Sequence, residues 1–246
     1  MIHNLALVSS KAKIGKNVKI GAFTTVHDNV IIGDNCVIEG YCEIGVSNHL
    51  SKGKRLVIGD GAYIRSHSIF YEASCFGEGL VTRHRVTVRE HTEAGKNLQI
   101  GTLSDIQGHC KIGDYVRFHS NVHIGQKSIV GNYVWIFPYV VLTNDPHPPS
   151  ETLLGVTVED YAVIATMSVI LPGAVVGNGC LIGAHSLVKG KTEPDMVYAG
   201  SPAQKICSTS KISLHDGSGS AYPWRRHFHR GYPADLVSQW VSDDLR

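Results

Sequence analysis

The polar chemistry of this sequence recurs at intervals of eighteen residues. One file reads His91, His109, Lys127 and Asp145, and the file beside it reads Glu90, Gly108, Gln126 and Asn144. Both lead into the Pro-rich segment Asn144-Asp145-Pro146-His147-Pro148-Pro149-Ser150. An imidazole titrates near neutrality and can take a proton from an attacking group. An amide and a carboxylate can orient that group and hold the charge it develops. His109, Asn144, Asp145 and His147 are therefore the candidate catalytic set. An attacking hydroxyl would need a base, either His147 or His109, whereas a neutral amine attacks unaided. The competing reading of both files is a solvated polar edge.

These residues share a site only if the chain turns every eighteen positions, and the apolar residues say that it does. Stepping by six from Ile2 gives an unbroken apolar series to Ile44, a second from Ile58 to Leu142 and a third from Val158 to Val188. Of 29 such positions only Thr82 is not apolar. Neither a helix nor an alternating strand has this period. Three short strands wound into a triangular coil do, each giving one inward aliphatic per hexad. Each coil needs neighbours to bury its interior.

A second comb lies four residues after the first: Val18, Thr24, Val30, Cys36, Cys42, Ala62, Ser68, Cys110, Ser128, Ala162, Ser168, Ala174, Cys180 and Ser186. These thin residues are expected to fill the tight corners, which makes four of the six cysteines core residues. Thirteen of the 26 glycines directly follow a ladder residue, where a turn can demand positive φ. None of the 14 histidines falls on either comb, so all should point outward or lie in loops.

Two phase breaks mark insertions, one around Ser47–Lys54 and one from Asn144 to Thr157. Long excursions from a rigid scaffold usually carry function. Beyond Val188 the hexads stop. A Ser/Gly-rich stretch follows, then the aromatic-basic run from Tyr222 to Arg230, then a segment from Ala234 to Leu245 that could form a short helix with Leu236, Val237, Trp240 and Val241 on one face. The tail is read as packing over the final coils or a neighbouring subunit, with contact to a nucleotide as the alternative for the aromatic-basic run. Outward aromatics at Tyr115, Tyr133, Trp135, Phe137, Tyr139 and Tyr161 point to buried contacts outside the coil, either between subunits or with a stacked ligand. The chain thus divides into a repeat domain, residues 1–206, and an extension, residues 207–246.

Composition narrows the class. With 43% apolar residues and a formal charge of +2, the chain should bury a large core and is too balanced for a nucleic-acid binder. The first residues lack a signal peptide's basic and apolar regions, and no apolar run approaches a membrane span. Unpaired cysteine spacing fits a reducing compartment, so the expected location is cytoplasmic.

The ladder and the ending Val197-Tyr198-Ala199-Gly200-Ser201-Pro202-Ala203 resemble the hexapeptide-repeat acyltransferase superfamily over residues 1–206. The resemblance implies an all-β, left-handed parallel β-helix with two loop insertions and a short C-terminal tail or helix. From His84 to Pro148 the chain is similar to nucleotide-amino-sugar N-acetyltransferases of bacterial surface-glycan synthesis. It carries that likeness in Arg89-Glu90-His91-Thr92-Glu93, Ile100-Gly101-Thr102, Gln107-Gly108-His109, Ser120-Asn121-Val122 and Thr143-Asn144-Asp145 with Pro148. That implies an acceptor site at His109, Asn144 and Asp145, with His84, Glu90, His91 and Gln126 as substrate ligands. The family commonly has an acidic residue where Gln126 stands. His147-Pro148 also resembles the loop of maltose- and galactoside-type O-acetyltransferases, in which the histidine is the general base.

The same resemblance implies acetyl-coenzyme A, or another acyl-coenzyme A, as cosubstrate. It would lie along the later coils at Ala165, Thr166, Gly183, Ala184 and Lys189, with Ser201, Pro202 and Lys205 at its adenine and phosphate end. Thr166 and His185 replace the family's usual glycines, which leaves the acyl length open. Homotrimers with sites between subunits are implied, and no metal is required. The expected activity is acyl transfer to an amino or hydroxyl group of a sugar or nucleotide-linked sugar, with O-acetylation of free sugars by a histidine base as the alternative. A purely structural β-helix would leave the polar files unexplained. A γ-type carbonic anhydrase would need His109, His119 and His123 to converge on zinc at about 2 Å, and their spacing does not match that family's. A serine acetyltransferase or a fused nucleotidyltransferase is disfavoured because the hexads begin at Ile2.

Overall fold

The computed structural model describes residues 1–243. Its body is a parallel β-solenoid whose three faces carry ten, nine and eleven strands. The first face runs from Leu7–Val8 to Leu187–Val188, the second from Lys13–Ile14 to Val175–Val176, and the third from Lys19–Ile20 to an antiparallel hairpin, Met196–Gly200 with Ala203–Ser208. Register holds at eighteen residues along the uninterrupted coils, as in Thr87 beside Asp105 and Asp105 beside His123. Successive rungs lie about 4.8 Å apart.

Most strands are only two residues long because each hexad spends the rest on a corner. From Ile20 onward the ladder forms one continuous core, with Ile44, Ile64, Phe70, Ile106, Ile136 and Leu142 fully buried. Each such side chain contributes roughly 1.5–3 kcal/mol by leaving water. The thin comb is buried throughout, and desolvation pushes the Cys110 thiol up to about 11.

The glycines that follow ladder residues are not there for positive φ, with Gly45 the exception among them. The left-handed position falls two residues later, at the corner. It is occupied by non-glycine residues such as Phe23, Asn35, Tyr41, His91, His109, Tyr133 and Tyr161, at φ of 52–61°. The ladder-following glycines answer to crowding instead. A Cβ on Gly113 would meet the backbone of Gly131–Asn132 in the next rung, 2.7–2.8 Å away. A shared corner conformation sends each corner side chain the same way, so corner residues stack in files. Phe23, Tyr41 and His67 stack at 5.0 Å steps, and Tyr115, Tyr133 and Tyr161 at 5.6 and 4.9 Å.

The three corners differ in chemistry. Between the second and third faces, Asp34, Asp60, Asp114, Asn132 and Asp160 each accept the backbone N–H of the preceding rung, at 2.7–2.9 Å. The tyrosine file beside them is covered by the chain's own tail. Tyr232 and Trp240 are buried against Tyr115, Tyr133 and Tyr161, Trp224 Nε1 donates to the Tyr161 carbonyl, and Trp135 Nε1 donates to the Tyr232 hydroxyl. Much of the outward aromatic belt is therefore intramolecular core. Tyr139 alone of the six is largely open, at 53% exposure. The C-terminal helix, Ala234–Asp243, turns Leu236, Val237 and Trp240 inward and leaves Val241 exposed. The sequence-predicted end of that helix, Asp244–Leu245, lies outside the described residues. No described helix is long and apolar enough to cross a membrane.

Candidate active site

Both insertions leave the solenoid at the corner between the first and second faces. The first connects Glu43–Val46 to Leu56–Ile58, and the second connects Val141–Leu142 to Thr157–Val158. They emerge five rungs apart, roughly 24 Å along the axis. Between them the corner presents Glu72, Glu90 with His91, His109, and Gln126 with Lys127.

The first loop is pinned to this corner by buried carboxylates. Asn48 Oδ1 accepts the N–H groups of Leu50 and Ser51, both at 2.9 Å, which folds the loop back on itself. Asn48 Nδ2 then donates to Glu90 at 2.8 Å, and the Ser51 hydroxyl donates to Glu72 at 3.0 Å. Glu90 is fully buried and also accepts from Arg89 at 3.0 Å. Burial opposes its ionisation, but its own N–H, the Asn48 amide and Arg89 outweigh burial and hold the carboxyl below its ordinary value. His91 Nε2 donates to the Leu50 carbonyl at 2.9 Å.

The second loop is tied from the other side. Asp145 gathers the Ser150 hydroxyl (2.7 Å) and the N–H groups of His147 and Ser150 (3.0 Å each), which keep its carboxyl below the usual range. Leu154 N donates to the Asn144 carbonyl, and Lys127 Nζ reaches the Leu153 carbonyl at 3.4 Å. Gly155 passes so close to the Lys127 carbonyl that no Cβ fits.

His109 occupies the gap. Its ring stacks on His91 with centroids 4.6 Å apart. Desolvation, then the nearby His91, lower its pKa, with Lys127 and Arg89 adding to the effect against Glu90. At neutral pH it is therefore an uncharged base. Neither its nitrogens nor the side-chain amides of Gln126 and Asn144 have a hydrogen-bond partner among the described residues. Asn144 packs over Gly125, one rung beyond Gln107–Gly108, so His109 and Asn144 stand two rungs apart along the axis, roughly 10 Å, with Gln126 and Lys127 on the rung between them.

The corner thus brings together His109, Asn144, Asp145, Glu90, His91 and Gln126. Glu90 and Asp145 are occupied in holding the loops, and His147 sits exposed on the second loop. His84 is elsewhere, on the corner between the third and first faces, bonded to Ser66 Oγ at 2.9 Å. That corner also carries Ala165 with Thr166, Gly183 with Ala184 one rung on, and the hairpin turn at Ser201-Pro202. Lys189 stands away from them, at the loop corner's end of the first face. Lys205 is engaged with Glu193 at 2.6 Å, which raises its pKa. The acceptor and donor residues expected from the sequence therefore flank opposite edges of the first face.

That face carries a pair the sequence reading did not assign. His123 Nδ1 lies 3.2 Å from Asp105 Oδ2, and Gln107 Nε2 donates to the same carboxylate. Burial works against the charge of Asp105, but His123, Gln107 and Arg89 together hold its pKa down. The eighteen-residue interval was the available signal. His109, His119 and His123 lie at one corner, another corner and a face, and do not converge; the described residues contain no group of three metal-ligating side chains.

Repeat, register and corners together define a hexapeptide-repeat parallel β-solenoid protein. Residues 11–45 match the family described as bacterial transferase hexapeptide (six repeats). An acyl-[acyl-carrier-protein]–UDP-N-acetylglucosamine O-acyltransferase of Saccharophagus degradans is 30% identical over 154 residues, which are 54% of this chain and 48% of that protein. The putative lipopolysaccharide biosynthesis O-acetyl transferase WbbJ of Escherichia coli is 30% identical over 112 residues, 39% of this chain and 56% of that protein. The chain spans about half the length of the curated relatives it matches. In fold it is similar to the solved UDP-N-acetylglucosamine acyltransferases of Arabidopsis (TM-score 0.57, 20% identity, covering 85% of this chain and 74% of that one) and Bacteroides fragilis (TM-score 0.57, 18% identity, covering 98% and 82%).

Proposed function

We propose that this chain transfers an acyl group, acetyl in the first instance, from a phosphopantetheine thioester to an amino or hydroxyl group of a sugar or nucleotide-linked sugar in surface-polysaccharide synthesis. Coenzyme A is the donor on this reading; the relatives named for acyl-carrier-protein make that carrier the alternative. The observation that carries it is His109, an imidazole stacked on His91 between two pinned loops with no hydrogen-bond partner among the described residues. The acceptor atom attacks the thioester carbonyl carbon, and His109 takes its proton as the new C–N or C–O bond forms. The C–S bond then breaks, and the departing thiolate receives that proton. Asn144 and Gln126 orient the acceptor, Glu90 and Asp145 fix the two loops, and no metal takes part.

Within one chain the acceptor residues and the residues assigned to coenzyme A are separated by a strand's width and several rungs, on the order of 20 Å. We therefore place the reaction between copies in a homotrimer, the loop corner of one against the Ala165–Ala184 corner of the next. A cytoplasmic location fits these cosubstrates. The extension after residue 206 serves as a cover for the tyrosine corner, although its strand Ala203–Ser208 continues the third face.

A panel of nucleotide-linked amino sugars and free sugars with acetyl-coenzyme A, read by thiol release, tests the proposal. Turnover lost in Asn144→Ala and retained in His147→Ala supports the corner; absence of turnover with every acceptor and both donor types refutes it. The Asp105–His123 pair favours a second reading, O-acylation, because the carboxylate orients an imidazole toward the proton that a hydroxyl must give up. Loss in His123→Ala restricted to hydroxyl acceptors would establish it.

A further inference from the structure

A second concave surface lies on the third face, away from the loop corner. It is a cleft of about 450 Å³, lined by Arg83, Gly101, Arg117, His119, Trp135 and the tail residue Arg230. Its size falls within the ~300–1,000 Å³ of small-ligand sites. The tail builds one wall. The Arg117 guanidinium lies between the rings of Trp135 and Tyr232, at 4.8 and 4.7 Å, and donates to the carbonyls of Arg230 and Gly231 at 3.2 Å. This staple fixes where Arg230 stands. Among the described residues none of Arg83, Arg117 and Arg230 pairs with a carboxylate, and no acidic residue lines the cleft. Arg117 is engaged with the tail, which leaves Arg83 and Arg230 as two guanidiniums without a carboxylate partner at one cavity, an arrangement suited to an anion.

The floor adds a slot for a flat ring. His119 stacks on Phe137, one rung further on, with centroids 4.5 Å apart and planes 15° apart. Its ring plane therefore lies across the solenoid axis, and its other face looks back over Gly101. Gly101 has no side chain to fill that rung, and none can be added, because a Cβ would strike the backbone of His119–Ser120. Arg83 stands one rung further back, so the open slot between its backbone and that of His119 is roughly 9.6 Å deep. That spacing admits one aromatic ring between an imidazole and a guanidinium, both good stacking partners. Burial and the nearby Arg117 keep His119 uncharged at neutral pH. The Gln99 amide and the Ser120 hydroxyl lie on the lining and can meet the edge of such a ring.

We infer that this cleft binds a nucleoside diphosphate, its base stacked on His119 over Gly101 and its phosphates held by Arg83 and Arg230. Two sources share this chemistry: the nucleotide of a nucleotide-linked acceptor and the 3′-phospho-ADP end of coenzyme A. The inference stands on the cleft alone and does not require acyl transfer.

Isothermal titration of the full chain, with no acyl donor present, tests it with UDP, dTDP, 3′-phosphoadenosine 5′-diphosphate and inorganic pyrophosphate. At least one nucleotide should bind below about 1 mM. Arg83→Ala and Arg230→Ala should each weaken it about tenfold or more, as expected for a lost charge-assisted contact. Both side chains are exposed, so neither change disturbs the core. His119→Ala should weaken the nucleotide at least about fivefold through lost stacking and leave pyrophosphate unaffected. Tighter binding of UDP or dTDP assigns the cleft to the acceptor, and tighter binding of 3′-phosphoadenosine 5′-diphosphate assigns it to the donor. The inference is overturned if no nucleotide binds, if the Arg83→Ala/Arg230→Ala double variant binds undiminished, or if pyrophosphate binds as tightly as every nucleotide. Any of these leaves the thiol-release assay, and the reading it tests, untouched.

Discussion

Replacing Asn48 with alanine should loosen the whole loop corner although Asn48 touches none of the reacting groups. The substitution removes one hydrogen bond to a buried carboxylate, Asn48 Nδ2 to Glu90 at 2.8 Å, and two that cap the backbone of Leu50 and Ser51 at 2.9 Å. A bond to a charged group is worth about 1.5–3 kcal/mol and each neutral one about 0.5–1.5 kcal/mol. The loop N–H groups can turn to water, so a net loss of about 2–4 kcal/mol is expected. Glu90 would keep only Arg89, itself partly exposed, and its own N–H. The sign of the pH effect follows. A carboxyl held below its unfolded value of about 4.3 stabilises the fold above that pH, and the contribution disappears as pH falls through the folded pKa. Without Asn48 the folded pKa rises, so acid unfolding should begin at a higher pH. Urea denaturation at pH 7 and an acid titration by circular dichroism measure both effects, and an Asn48→Ala/Glu90→Gln double-mutant cycle isolates the contact. A change under about 0.5 kcal/mol with an unshifted acid midpoint would refute the claim that Glu90 anchors the first loop.

Three other outcomes are expected. The kcat/KM of the wild-type protein should rise with pH through a midpoint below the usual histidine value of about 6.5 and then stay level, because burial and His91 favour neutral His109; a pH–rate profile reads the limb, and its midpoint at or above 6.5 would argue against His109 as the base. Gly155→Ala should push the second loop off Lys127 and lower kcat/KM about tenfold or more while the unfolding midpoint of the solenoid hardly moves, as steady-state kinetics beside thermal unfolding would show. Trp240→Ala, at a residue only 4% exposed, should cost about 3–5 kcal/mol locally and release the tail to proteolysis while the coils stay intact.

The winding was legible because the ladder is nearly unbroken, and even its exception fits: Thr82 is buried, with its hydroxyl accepting the Arg65 N–H. The stacking of His91 on His109 followed from the same interval. The left-handed corner was hard to read, since histidine, tyrosine and asparagine carry it at most turns; glycine marks it only at a few, such as Gly61 and Gly173, while the glycines that follow ladder residues answer to neighbouring rungs. The separation of the two predicted residue groups was within reach of arithmetic. His109 lies three places past a first-face ladder residue, Ile106, whereas Ala165 follows a third-face one, Ile164. The cover of Trp224, Tyr232 and Trp240 over the tyrosine file was out of reach, because tail and coils are far apart in the chain and no period links them.

The most direct test of the corner as the place of acyl transfer is the kcat/KM of His109→Ala, by thiol release with the best acceptor. The account predicts a fall of about 10²- to 10⁴-fold with an unchanged circular dichroism spectrum and unfolding midpoint. Activity within a few-fold of the unsubstituted protein would contradict it.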